Sequence, residues 1–108
     1  MANQQWQPHI YRSNYGPVSG IPTDISISQF LESYNPDDVP DNQVILEESG
    51  KGAHITYRQL REDAARTAWT FRNTLHLGDE DSVCVCASNS IEVIRLVHAI
   101  IWAGGTAV

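Results

Sequence analysis

The chain has 108 residues, a formal net charge of −6 and a hydrophobic fraction of 42%, with 3 Trp and 4 Tyr. That length is one domain or part of one, and the composition is that of a folding chain, not a disordered one. Lys51 is the single lysine and the arginines are scattered, so no basic stripe exists to neutralise phosphates; this argues against nucleic acid and against an anionic membrane surface.

Met1 to Gln5 carries no positive charge and no apolar run follows it, so no signal peptide is expected. Residues 1–25 read as an extended N-terminal arm. Pro8, Pro17 and Pro22, with Gly16 and Gly20, prevent a regular element there. The arm still carries Trp6, Ile10, Tyr11, Tyr15 and Val18, which predicts that it lies in a groove on a larger body; the alternative is a loose tail. A short helix follows. Ser26 is its N-cap candidate, with Gln29 at the capping-box spacing. Ile27, Phe30, Leu31 and Tyr34 form one apolar stripe, and Pro36 ends the helix. Residues 35–42 hold Asp37, Asp38 and Asp41 and read as a solvated acidic loop. They lack the glycine turn and distal glutamate of a calcium loop.

Val44 to Glu47, the turn Ser49-Gly50-Lys51-Gly52 and Ala53 to Thr56 predict a β-hairpin. Thr56 then serves as N-cap of a helix reaching Leu75, with Gln59 as the reciprocal partner. Tyr57, Leu60, Ala64, Ala68, Phe71 and Leu75 line its buried side, and Ala65 and Trp69 widen it. Glu62 and Arg66 stand four apart in the favourable order for an ion pair. Gly78 reads as a turn, and Asp79 to Asp81 as a wet lead-in. Val83 to Ala87 alternates Val with Cys, leaving neither face polar, as a central parallel strand requires. Asn89 is the N-cap candidate of a second helix over Ser90 to Ala103, apolar around most of its circumference and expected to be buried on two sides. Gly104 ends it. Thr106 to Val108 begin another strand. The fold class is α/β, with a β-hairpin and an incomplete parallel βαβ layer, the expected opening of a larger protein.

Little in this pattern carries chemistry. The loop Ala87-Ser88-Asn89-Ser90 lies at the carboxyl end of a strand and the start of a helix, a favoured ligand position. Ser88, Asn89 and Ser90 are therefore candidates to touch a phosphate or substrate; the plainer reading is that they cap the helix. No Gly-x-Gly-x-x-Gly, Walker loop or Gly-x-Ser-x-Gly elbow is present. His9, His54, His76 and His98 have no metal-ligand spacing, and His98 reads as a hydrogen-bonded boundary group. Cys84 and Cys86 lack the Cys-x-x-Cys spacing of redox and zinc sites and read as reduced packing residues, as in an intracellular protein. No run is long enough to span a bilayer.

Thr56-Tyr57-Arg58-Gln59-Leu60, the helix after it, Leu77-Gly78-Asp79 with the strand Val83 to Ala87, Ala87-Ser88-Asn89-Ser90-Ile91-Glu92 and Trp102-Ala103-Gly104-Gly105 form one ordered pattern. It resembles the N-terminal portion of the adenylate-forming (AMP-binding) superfamily of acyl- and aryl-CoA ligases. Ile10 to Ser13, Ile21 to Asp24 and the Tyr34 to Pro40 loop look most like fungal 4-coumarate–CoA ligase-like members. The resemblance covers nearly the whole chain, and it is the order and spacing of its short motifs that make the match.

The resemblance implies that residues 26–108 are an incomplete N-terminal portion of an AMP-binding α/β domain. The parent would activate a small carboxylic acid with ATP and Mg²⁺ as an acyl-adenylate, then transfer it to coenzyme A. The family's phosphate loop, magnesium glutamate and catalytic lysine have no matching position here. No catalytic, cofactor-binding or metal residue is therefore assigned, and Lys51 in the hairpin turn is not the catalytic lysine. The fragment alone is expected to be inactive and to need the remainder of the adenylating domain as its partner. The parent would be cytoplasmic or peroxisomal. The alternatives are a non-catalytic truncated product, a small interaction module, or the adenylation domain of a peptide synthetase.

Overall fold

A computed structural model describes residues 11–35 and 37–108. The expectations for Trp6, His9 and Ile10 lie outside these residues, as does Pro36 as the stop of the first helix. The elements are α1 (Ile27–Ser33), β1 (Val44–Glu47), β2 (His54–Thr56), α2 (Tyr57–Asn73), β3 (Ser82–Val83), α3 (Ile91–Trp102) and β4 (Thr106–Ala107). β1 and β2 form an antiparallel hairpin, and β3 and β4 a parallel pair joined through α3. The architecture is mixed α/β.

Both capping boxes form as the spacing predicts. The Ser26 amide donates to Gln29 Oε1 at 2.8 Å while Gln29 returns its amide to Ser26 Oγ at 3.2 Å. At α2 the corresponding bonds join Thr56 and Gln59 at 2.9 and 3.3 Å. Thr56 is thus the last residue of β2 and the cap of α2, so strand passes into helix without a loop. The next two amides of α2 donate to backbone carbonyls of the lead-in segment, Tyr57 to Gln43 and Arg58 to Asp41, both at 3.0 Å. These would otherwise be orphan donors.

The core forms where the hairpin, α2 and the start of α3 converge. Ile55 and Ile100 are fully buried, and Leu60 and Ile91 join Ile55 in one apolar cluster with Leu46 against it. Full burial of an Ile side chain contributes roughly 1.5–3 kcal/mol. Along α2 and α3, which pack on each other, Ala64, Ala68 and Ala99 are buried; side chains this small let the two backbones approach closely.

Several expectations are corrected. The apolar stripe of α1 does not face a core: Ile27, Leu31 and Tyr34 are exposed, and the buried residue is Ser28. Phe30 stacks on Tyr34 instead, ring centroids 4.7 Å apart. Trp69 does not widen the buried side of α2; it is 64% exposed, as Leu75 is at 65%. Arg66 pairs with Asp63 at 3.6 Å and not with Glu62. Near the end of α2 His76 is left-handed, φ 57°, a position the spacing did not single out. Gly78 opens the expected turn: its carbonyl accepts from the Asp81 amide at 3.2 Å and its own amide donates to Asp81 Oδ2 at 2.6 Å, so the acidic lead-in closes that turn.

The strand expected over Val83 to Ala87 is regular only at Ser82–Val83. Its pairing continues through Val108, which donates to the Val83 carbonyl at 2.9 Å and accepts from Val85 at 2.8 Å. Val83 and Val85 are half-buried while Cys84 and Cys86 are exposed free thiols, so one face of the strand is covered and the other open. Gly104, φ +90°, ends α3 in a Schellman turn: its amide donates to Ile101 and that of Gly105 to Ile100, both at 3.0 Å. The chain then turns directly into β4.

Candidate functional site

The loop between β3 and α3 is the position that the parallel pair offers to a ligand. Ser90, extended at φ −160°, is the N-cap of α3; its Oγ accepts from the Val93 amide at 3.3 Å. Asn89, the expected cap, is exposed one residue earlier. Glu92 at the second helical position places an acidic side chain in the first turn, where the helix dipole favours it.

The first amide of α3 has a partner from elsewhere in the chain. Ile91 donates to Glu48 Oε1 at 2.8 Å, across 43 residues of sequence. Glu48 ends the first arm of the hairpin, and its amide donates to the Ala53 carbonyl at 2.8 Å. Its other carboxylate oxygen lies 3.7 Å from Lys51 Nζ, and its side chain is 20% exposed. Hairpin tip and helix start enclose a groove of about 400 Å³ with Leu46, Ile91 and Ile94 in its wall and Glu48, Lys51 and Asn89 at its polar side. Lys51 thus sits in the hairpin turn as expected, beside a carboxylate.

A second groove, of about 350 Å³, lies among α1, the 34–39 loop, the hairpin, α2 and α3. Leu31, Val39, Ile45, Leu60 and Trp102 line it, with Arg61 and His98 among its polar residues. The Arg61 guanidinium lies over the Tyr57 ring, 4.8 Å from its centroid, and bonds Asp41 Oδ1 at 2.7 Å. Arg58 bonds the other Asp41 oxygen at 3.1 Å. The segment read as a solvated acidic loop therefore divides. Asp37 and Asp38 are exposed, whereas Asp41 anchors the loop to α2 through side chain and backbone alike. Asn35 closes the loop by accepting from and donating to the backbone of Val39, both at 2.9 Å.

The remaining candidates stay apart. His98, half-buried, donates from Nδ1 to the Ile94 carbonyl one turn back at 2.8 Å, the boundary role its position predicts. His54 is exposed, its Nδ1 3.4 Å from the Gly52 carbonyl. Among the described residues no group of three or more His, Cys, Asp or Glu is arranged to hold a metal ion. None of the described helices is long and apolar enough to cross a membrane.

What this region does is hold a helix start, fix a hairpin to it and fasten a loop to α2. That arrangement is a mixed α/β scaffold. The model of the AMP-binding enzyme family matches residues 34–108, more than half of the chain, and the chain belongs to that family. No curated protein and no solved structure matches it. The resemblance to fungal 4-coumarate–CoA ligase-like members is finer than the family match.

The Glu48 carboxylate already faces the first amide of α3, and a second anion there would meet like charge at close range. The sequence hides this because nothing in the spacing of the hairpin turn points to a helix 43 residues away. The one local sign is an acidic residue at the tip of a hairpin.

Proposed function

We propose that this chain is the N-terminal portion of the large domain of an acid–thiol ligase of the 4-coumarate–CoA ligase-like kind. The whole enzyme activates a carboxylic acid with ATP as the acyl-adenylate and transfers the acyl group to coenzyme A. Residues 1–25 act as an arm and 26–108 as the first layer of the adenylating domain. The observation that carries this reading is the family match over residues 34–108. The open face of the segment that continues β3, where Cys84 and Cys86 are exposed, supports it, since a parallel sheet of this class is covered on both faces. The side chains of this stretch take no part in the chemistry; they build the scaffold on which later segments place the nucleotide, the metal and the acid. A cytoplasmic or peroxisomal setting goes with this reading.

The test starts with the intact mass of the native product in its own cells, followed by acid-dependent exchange of pyrophosphate into ATP over a panel of aliphatic and aryl acids. The expected result is a product longer than 108 residues that exchanges with at least one acid and releases AMP when coenzyme A is added. A native product of this length that shows no exchange, and whose melting is indifferent to ATP, overturns the proposal.

A further inference from the structure

We propose that Glu48 is the resident anion of the α3 N-terminus, so that the β3–α3 loop is closed to phosphate-bearing ligands and serves as the point where the hairpin is fixed to the parallel layer. A helix N-terminus concentrates partial positive charge on its unpaired amides, and an anion placed there is stabilised. In most nucleotide-binding α/β folds that anion is a ligand phosphate. Here it is supplied by the chain. Glu48 Oε1 accepts from the Ile91 amide at 2.8 Å, and Ser90 Oγ accepts from the Val93 amide at 3.3 Å. Two of the first three amides of α3 are therefore taken by side chains. The carboxylate is 20% exposed and is held from behind by the hairpin, whose Glu48 amide is bonded to Ala53. Lys51 lies 3.7 Å from its second oxygen. Glu47, Glu48, Lys51 and Glu92 are the charged groups around this start, with Arg95 paired to Glu92 at 3.3 Å, so acidic groups still outnumber basic ones where an anion would enter.

The contact also has a mechanical consequence. Ile55 on the hairpin, Leu60 on α2 and Ile91 on α3 belong to one buried cluster, and the Glu48–Ile91 bond closes that cluster at its edge. Hairpin and parallel pair share no strand, so this bond and the cluster beneath it join them directly, beside the packing of α2 on α3.

The proposal stands apart from the ligase reading, because its test reads stability and not turnover. The full native protein and its Glu48→Ala and Glu48→Gln variants are melted in sodium phosphate and in sodium chloride at matched ionic strength and pH 7, with inorganic phosphate as the probe. The reading is the phosphate-specific rise in Tm of each variant minus that of the parent, which removes any phosphate bound elsewhere. Removing the carboxylate uncovers the amide, so Glu48→Ala is expected to gain about 2–4 °C more from phosphate than the parent does. Glu48→Gln keeps the shape and an acceptor without the charge, and its gain is expected to be smaller but above zero; it also serves where the alanine variant does not fold. Equal rises in the parent and in every variant that folds overturn the proposal.

Discussion

Arg95 on α3 and Asp63 on α2 meet at 3.1 Å, with their side chains only 32% and 29% exposed. Arg66 approaches the same aspartate at 3.6 Å and Glu92 the same arginine at 3.3 Å, so four charges bridge the two helices. Arg95 Nε is buried without a protein partner, which marks how far the guanidinium has been drawn in between the helices. A double-mutant cycle of Asp63→Ala and Arg95→Ala, read by urea unfolding, is expected to give a coupling of about 0.5–1 kcal/mol. The coupling should shrink in 1 M salt. A value within error of zero at low salt removes this pair from the forces that hold α2 to α3.

The buried alanines make a second prediction. Ala64 and Ala99 are 1% and 0% exposed on helices that pack together. Ala99→Leu has no space to enter and is expected to cost about 1–3 kcal/mol of stability. Trp69→Ala, although it deletes a far larger side chain, is expected to stay within about 0.5 kcal/mol because that residue faces outward. The same unfolding titrations compare the two, and the reverse order would mean that the helix face is assigned wrongly.

The cap of α3 separates two neighbouring residues. Ser90 accepts the Val93 amide and Asn89 is exposed. Ser90→Ala is therefore expected to lower stability by about 1 kcal/mol and Asn89→Ala by less than half as much. Equal losses would return Asn89 to the cap.

At the other end of α3, Gly104 has φ +90°, and a Cβ built there lies 2.8 Å from Asp79 Oδ1. Asp79 in turn holds Arg72 at 2.6 Å. Gly104→Ala combines left-handed strain, about 1 kcal/mol, with a clash that Asp79 can leave because its side chain is mostly exposed. Adding Asp79→Ala should recover the clash share alone, leaving the backbone share in place. Full recovery in the double variant would mean that the turn tolerates a side chain.

The two capping boxes were legible in the sequence because each is closed within four residues. Ser26 with Gln29 and Thr56 with Gln59 need no tertiary help. The hairpin and both long helices were legible for the same reason, as was the left-handed glycine after α3. The exposure of Trp69 was not, because a helix has several apolar faces and only its neighbours decide which one is covered. The bulge between Val44 and Leu46 was also hidden. It inserts Ile45 into β1 and turns that side chain toward the groove beside α1, a choice made by the fit of the hairpin against α2.

By itself, then, the order of elements followed from spacing: capping residues, the period of apolar positions and turn glycines act over a few residues and leave their mark there. The family resemblance followed from the order of short motifs, and the match to AMP-binding enzymes covers residues 34–108. The tertiary structure decided which charges have partners. Asp41 binds Arg58 and Arg61 across the partly exposed seam between its loop and α2, and Glu48 binds the start of α3, where Ile91 is buried and its amide would cost free energy if left without an acceptor. Such a partner is chosen by what lies within about 3 Å after folding, and sequence distance carries no record of it.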